Sequence, residues 1–536
     1  LKIKSGISEN KNWLLAILSG FLLTLAFPKA GFWPVGWIAL VPLLAAVKGL
    51  SFGKAFRTGF LAGLVHYLSL LYWLVYTMQT YGGLPVYLSV PVLFLLSAYM
   101  ALYVGLFSAF ISHLKTSEYK TYLLAIPVLW VFLEYLRGFL FTGFPWSFLG
   151  YSQFKQLNII QVSDIFGVYA ISFLLVLSSG VIFLTIDNTF SRKLKKQTYR
   201  HTNSIIGVII LIFLLTATLS YGKWRISSIQ ESISKGPFRQ IAVVQGNIDQ
   251  AIKWDPSFQV ETTEKYLRLS LSAKKHEPDL VVWPETATPF YFLSDTVLSQ
   301  KVIKTVFEMD TDFLIGSPSF KIGEDTIEYY NSAYLIDAGS KVIDRYDKVH
   351  LVPFGEYVPF KKWLPFLGKM VEHVGDFKPG TAGDTLSWKE RTLGIQICFE
   401  IIYPGLSRAM VQNGADFLIN ITNDAWFEKT SAPYQHFSMT IFRAIENRRS
   451  LVRAANTGIS GFVDPVGNIM EQTELFHDAV LSRDVPIYDE LSIYTRFGDF
   501  FAVICSLISV FLIGLRFTES NFWKKKKYKI NKEKTK

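Results

Sequence analysis

Cys398 is the residue with the most chemistry open to it. It follows an apolar, β-branched run, Arg391–Ile397, and precedes Phe399 and Glu400. Such a run reads as a buried strand, so the thiol is expected at a strand tip, rigidly held beside a cleft. The second of the two cysteines, Cys505, lies in a separate apolar run, so neither a disulfide nor a zinc spacing is evident. A cysteine attacks as the thiolate. It needs a base to take its proton and a cation to favour the thiolate and the oxyanion that follows. Glu285 suits the base, because it follows the strand-like LVVW at 280–283 and Pro284. Lys348 suits the cation, after the turn-like DRYD at 344–347. Taken singly, these residues read as a buried thiol, an exposed strand-end carboxylate and a solvated loop lysine. Their flanks, WPET at 283–286, YDKVHLVPFGEYVPF at 346–360 and ICFE at 397–400, favour the joint reading.

The elements that must position them fall into two kinds. Half of the 536 residues are hydrophobic and 44 are phenylalanine, which points to a membrane protein with a soluble part. Apolar runs of bilayer-crossing character occur at 13–27, 32–46, 59–78, 84–114, 122–141, 168–186, 204–221 and 500–517. The first two are short, and the fourth is expected to kink near Pro91. The first ends in Phe27-Pro28-Lys29, so it reads as a span and not as a cleaved signal. A helical membrane domain is therefore expected over 1–225, helix eight over 499–517 and a basic tail over 518–536.

Basic residues alternate between loops. Lys2, Lys4 and Lys11 precede the first span; Lys48, Lys54 and Arg57 follow the second; Lys115 and Lys120 follow the fourth; Arg192, Lys193, Lys195, Lys196 and Arg200 follow the sixth. The intervening 80–83 loop carries no charge. The positive-inside rule then puts both termini in the cytoplasm and 236–490 across the membrane, which is the periplasm in a bacterium with two membranes. The eight lysines between Lys524 and Lys536 fit the same cytoplasmic reading better than nucleic-acid binding.

Segment 236–490 alternates short strand-like and helix-like runs, an α/β pattern with two sheet layers. Strands are expected at 239–245, 280–283, 313–316, 333–336, 392–398, 416–421 and 451–455, and helices at 258–273, 299–309, 402–413 and 433–448. No P-loop, dinucleotide fingerprint or nucleic-acid module is present. His350 and His436 lack metal-ligand spacing and read as hydrogen-bonded structural residues. Glu134 and Arg137, three residues apart in the fifth span, are expected either to pair with each other or to bind a lipid headgroup. The aromatic, basic stretch 357–371 suits a membrane interface.

The order Glu285, Lys348, Cys398 with these flanks resembles the carbon–nitrogen hydrolase (nitrilase) superfamily. The resemblance extends to VVQGNIDQAIKWDP at 243–256, NDAWF at 423–427, APYQH at 432–436, RAIENRRSLVRAANTGISG at 443–461 and DPVG at 464–467. With seven spans before and one after, and FTGFPWSFLGYSQ at 141–153, the whole chain looks like the membrane-embedded branch, the apolipoprotein N-acyltransferases. That resemblance implies an α-β-β-α sandwich over 236–490 and a Glu-Lys-Cys triad with Cys398 acylated, Glu285 as base and Lys348 at the oxyanion. It implies supporting roles for Glu356 and Glu400, and substrate-binding roles for Trp254, Phe399 and Trp146. It also implies no metal and no cofactor, a phospholipid acyl donor, a diacylated apolipoprotein acceptor and a monomer in the inner membrane. Two positions depart from the family pattern: Phe399 where many members have Tyr, and Glu428 where many have Gly. The competing readings are a membrane-anchored nitrilase-type amidase and a lipid-binding scaffold on an inactive nitrilase fold.

Overall fold

The computed structural model describes residues 2–114, 119–194, 199–323, 326–358 and 376–515. Most of the expected stretch 357–371 and the basic tail lie outside these residues.

Two six-stranded sheets form the α/β part. The first runs β12-β1-β2-β3-β4-β5, with β1 Phe238–Gln245, β2 Leu280–Val282, β3 Asp312–Ile322, β4 Ile327–Ile336, β5 Val342–Asp347 and β12 Ala479–Pro486. The second runs β11-β10-β9-β8-β7-β6, with β6 Leu386–Trp388, β7 Arg391–Ile397, β8 Phe417–Thr422, β9 Ser450–Ala455, β10 Gly461–Val463 and β11 Ile469–Gln472. Strands β1–β3 and β7–β9 are parallel, and the outer strands are antiparallel. The seven expected strands are the longer or more apolar ones. The edge strands β5, β6, β11 and β12 and the three-residue β10 are short or polar and carry too little periodicity to be read.

Alternation along the strands builds the layers. Ile241, Val243, Leu280, Val282 and Leu314 pack into the core shared with Leu393, Ile395 and Ile397 of the second sheet. Their neighbours Ala242, Val244, Val281, Phe313 and Ile315 face the other way, with Leu298 and Val302 of helix Thr296–Met309. Helices Pro256–Ala273 and Thr296–Met309 thus cover the first sheet. Pro404–Gln412 and Ala432–Asn447 cover the second. The result is the α-β-β-α sandwich.

In the helical part, four described helices are long and apolar enough to cross a membrane: Val86–His113, Tyr119–Thr142, Tyr169–Thr189 and Ser204–Lys235. A fifth span arises if Phe52–Leu70 and Trp73–Thr80, bent by 49°, are taken together. The remaining expected runs are shorter or broken. The run at 32–46 divides into a 3-10 turn, Trp33–Trp37, and Val41–Val47. The first lies in Lys2–Leu25, and the last is the short apolar helix Phe500–Leu515. Val86–His113 continues through Pro91 as one helix. The seventh reaches Lys235, well past 221, because its polar end leaves the apolar stretch without a helix breaker. Gly59 and Gly63 let Phe52–Leu70 approach Val86–His113. A Cβ on Gly59 would overlap Ser108, and one on Gly63 would come to 2.9 Å from Ala101 Cα.

The two parts interlock through helix Ala432–Asn447, which is almost wholly buried. Its Arg443 donates to Tyr151 Oη at 2.6 Å, and Glu446 Oε1 accepts from the Val168 N–H at 3.1 Å. Just beyond it, Arg448 donates to Asp164 and Gln161 at 2.7 Å each. All four partners belong to the helical part, in the 144–168 connection that follows its helix Tyr119–Phe139.

Candidate active site

Three strand ends meet where the two sheets abut. Glu285 follows β2, Lys348 follows β5 and Cys398 follows β7. Cys398 opens a single 3-10 turn, Cys398–Ile402, with a left-handed backbone at φ +54°. A non-glycine residue held there costs about 1–3 kcal/mol, so the surroundings must hold it. The Cys398 carbonyl accepts from His436 Nε2 at 3.2 Å and from Asn420 Nδ2 at 3.4 Å. His436 is fully buried, with Nδ1 3.0 Å from both Asp424 Oδ1 and Arg453 NH2. Burial, then the Arg453 charge, lowers the pKa of His436. Nε2–H donates to the Cys398 carbonyl, and Nδ1 faces both Asp424 and Arg453. Burial works against the charge on Asp424, yet Arg453 and His436 hold its pKa well below the usual carboxylate range. His436 is thus a structural histidine, and its structural task is to fix the nucleophile's backbone.

The charged side of the site is a closed hydrogen-bonded set. Lys348 Nζ donates to Glu356 Oε1 at 2.8 Å and to Glu285 Oε1 at 3.4 Å. Asn331 Nδ2 donates to both Glu285 and Glu356, each at 2.8 Å. Glu285 Oε2 accepts from the Asn423 N–H at 3.0 Å, which fixes the carboxylate in plane. Burial alone would favour a neutral lysine, but Glu356, Glu285 and the Cys398 sulfur reverse this and raise the Lys348 pKa. Cys398 moves the same way for the opposite reason. Burial, then Glu285, pushes the thiol up against the pull of Lys348. The resting sulfur therefore keeps its proton, and a base is needed at the moment of attack.

Glu400 lies apart from the sulfur. Its carboxylate accepts from the Val349 N–H at 2.7 Å, the His350 N–H at 3.0 Å and the Ile397 N–H at 2.7 Å. Burial pushes its pKa up to about 7, against those donors and the Lys348 charge. It clamps the strand end after Lys348 to the strand end before Cys398. The His350 ring lies tilted against Tyr403 with centroids 3.8 Å apart, and burial brings its pKa down to about 4.

The opposite side is aromatic and comes from the helical part. Trp146 is buried, with ring centroids 5.6 Å from His436 and 6.5 Å from Phe399. Phe144 stacks on Trp146 at 6.1 Å and on Phe399 at 6.2 Å. Trp146 Nε1 donates to Gln435 Oε1 at 2.8 Å, and Gln435 in turn donates to the Pro28 and Leu70 carbonyls. Glu134 and Arg137 are both buried, and each bonds to the backbone of the 146–149 loop. Glu134 accepts from the Leu149 N–H at 2.7 Å, and Arg137 donates to the Trp146 carbonyl at 3.2 Å, so together they fix the Trp146 loop. Glu428 accepts from Tyr81 Oη at 2.5 Å, which ties the loop after β8 to the helical part.

Trp254 stands outside this assembly and is 48% exposed. Asn331, Asn423, Asp424, Arg453 and Lys253 were not singled out from sequence. The signal for Asn331 was available: a polar residue inside an otherwise buried strand segment, NSAYLI. Among the described residues no group of three or more His, Cys, Asp and Glu side chains suits a metal.

Comparison with known proteins places both parts of the chain in described families. Residues 19–181 match the family model described as apolipoprotein N-acyltransferase N-terminal domain, and residues 240–489 match that of carbon-nitrogen hydrolase. A protein named apolipoprotein N-acyltransferase from Geobacter metallireducens is 45% identical over 95% of both chains. Proteins of that name from Pasteurella multocida (32% identical, 94% of this chain and 95% of that one) and Haemophilus influenzae (30%, 93% and 94%) are also similar. A solved amidase from Nesterenkonia sp. covers 49% of this chain and 94% of its own at 20% identity, with a TM-score of 0.37, too low to argue from. Matching such relatives across both its helical and its α/β parts, the chain belongs to the apolipoprotein N-acyltransferase family.

Proposed function

We propose that this protein moves an acyl chain from a phospholipid to Cys398 and from there to the N-terminal amine of a diacylglyceryl-cysteine on an apolipoprotein. The observation that carries this is the convergence of Glu285, Lys348 and Cys398 between a charged wall and an aromatic, membrane-derived wall.

In the first half-reaction Glu285 takes the thiol proton as the sulfur attacks the ester carbonyl. The oxyanion that forms faces Lys348. Its collapse breaks the C–O bond, Glu285 returns the proton to the leaving oxygen, and a lysophospholipid departs. In the second, the neutral amine attacks the thioester carbonyl, and Glu285 accepts a proton from the nitrogen. The C–S bond breaks, and the thiolate recovers that proton. Glu356 and Asn331 support this reading by holding Lys348 and Glu285 in fixed relation. The aromatic wall suits acyl chains and keeps water from the thioester. The exposed Trp254 would meet the substrates first.

The chain is placed in the inner membrane with 236–490 in the periplasm and its basic loops in the cytoplasm. The alternating lysines and arginines support that orientation. Cysteine labelling at 192–200 and within 236–490 tests it, because labelling of the latter from the cytoplasmic side would remove the lipoprotein acceptor. Mass spectrometry of the purified protein with phospholipid tests the reaction itself. The expected result is an acyl adduct on Cys398 that a diacylglyceryl-cysteine peptide discharges; an adduct-free Cys398 during turnover would overturn it.

A further inference from the structure

Lys253 sits in the turn that follows β1, one residue before Trp254. While Trp254 is exposed, Lys253 is 1% exposed. Its Nζ donates to Thr286 Oγ1 at 2.9 Å and to the Glu285 carbonyl at 3.3 Å. Thr286 has a left-handed backbone, φ +47°, so the turn that aims the Glu285 carboxylate is itself strained and needs holding. A buried ammonium is expensive unless its charge is compensated.

That compensation is visible in the charge count of the site. Glu285 and Glu356 are two carboxylates around a single lysine, Lys348. Asn331 joins the carboxylates but adds no charge. Asp424 is matched separately by Arg453 at 2.8 Å. Without another cation the cluster beside Cys398 carries one excess negative charge, and both thiolate and oxyanion would form against it. Lys253 brings the Glu285–Glu356 pair to two carboxylates and two ammonium groups; the third buried carboxylate, Glu400, has its pKa pushed up to about 7 by burial and is held by backbone N–H groups. Burial lowers its pKa to about 8, while the nearby Glu285 and Cys398 favour its charged form.

We propose that Lys253 is a positioning residue of the acyl-transfer site, pinning the Glu285–Thr286 turn and supplying the second positive charge that lets Cys398 ionise. The inference rests on Cys398 being the nucleophile. It gives Lys253 work distinct from that of Lys348: Lys348 is locked between carboxylates, whereas Lys253 holds the backbone that carries one of them.

The test uses the full-length protein in lipid nanodiscs, with iodoacetamide alkylation of Cys398 followed across pH by peptide mapping, and acyl-adduct formation from phospholipid. Below about pH 8, where Lys253 carries its proton, Lys253→Met should slow alkylation about tenfold, the equivalent of about one unit in the thiol pKa, and should reduce adduct yield. Lys253→Arg should recover part of both. Lys253→Gln retains a donor for Thr286 without the charge, so it reports on the charge even if the methionine variant fails to fold. A folded Lys253→Met or Lys253→Gln protein with the wild-type alkylation profile and adduct yield would overturn the inference. If wild-type protein carried its adduct at a residue other than Cys398, the nucleophile assignment would fall first, and this inference with it.

Discussion

Cys398 stands between two walls built on different principles. The sheet side is a closed set of charges, Lys348, Glu285 and Glu356, in which each carboxylate has at least two donors. The opposite side is a stack of rings, Phe144, Trp146 and Phe399, with the Trp146 indole anchored at Gln435. The first wall comes from strand ends, where a residue's position follows from its own strand. The second joins residues nearly 290 positions apart, Trp146 and Gln435. In the proposed reaction one wall does the proton and charge chemistry. The other decides which molecules reach it, and the two should fail differently when altered.

The largest effect belongs to the sulfur between them. Cys398→Ala should abolish transfer and remove the acyl adduct seen by mass spectrometry, while thermal unfolding stays near wild type. Residual near-normal transfer would remove the reason for comparing the walls at all. Next comes the charged wall. Glu285→Gln should cost about 10²–10⁴ in rate and Lys348→Met about 10²–10³. Their alkylation profiles should diverge, because Glu285 raises the pKa of Cys398 and Lys348 lowers it. Lys348→Met should slow thiol alkylation at fixed pH and Glu285→Gln should not. Identical profiles for both would separate this wall from the sulfur.

The aromatic wall should behave in the opposite manner. Trp146→Phe keeps the ring but leaves the Gln435 oxygen unpaired, at about 1–3 kcal/mol, read as a lower unfolding temperature. Transfer from phospholipid should fall while alkylation by a small reagent keeps its wild-type pH profile. A shifted profile would mean that the walls are not separable. Smallest is Tyr81→Phe, which removes the hydroxyl bound to Glu428 and should change stability by about 1 kcal/mol or less. An effect exceeding that of Trp146→Phe would make the Glu428 loop, and not the ring stack, the main tie to the membrane side.

What could be read in advance follows the same division. Glu285, Lys348 and Cys398 each follow a strand, and motif flanks carried them. Glu400 was legible as a carboxylate near the nucleophile, but its task as a clamp on three backbone N–H groups depends on where strand ends meet. Glu134 and Arg137 stood out as costly charges in an apolar helix. Their partners, the Leu149 N–H and the Trp146 carbonyl, belong to a loop with no periodicity of its own. Lys253 was passed over because its neighbour Trp254 drew attention, and one residue in a turn decides which side chain goes in. The helical runs were found, but where the chain bends at 71–72 or breaks between 37 and 41 depends on packing against neighbours.

Helix Ala432–Asn447 and Arg448 find hydrogen-bond partners in residues made much earlier in synthesis, Tyr151, Gln161 and Val168, and Arg448 finds its ion-pair partner in Asp164. The α/β part therefore matures upon a template already in the bilayer, and domain-by-domain folding from the N-terminus is the order that satisfies it. Excised as 236–490, it would break the buried Arg448–Asp164 ion pair and leave the Arg443–Glu446 pair without its Tyr151 and Val168 hydrogen bonds. A water-soluble catalytic fragment is thus a poor substitute for the whole chain. Damage at Asp164 or Gln161, which do not touch the reacting sulfur, would surface first as failed biogenesis and not as slow chemistry.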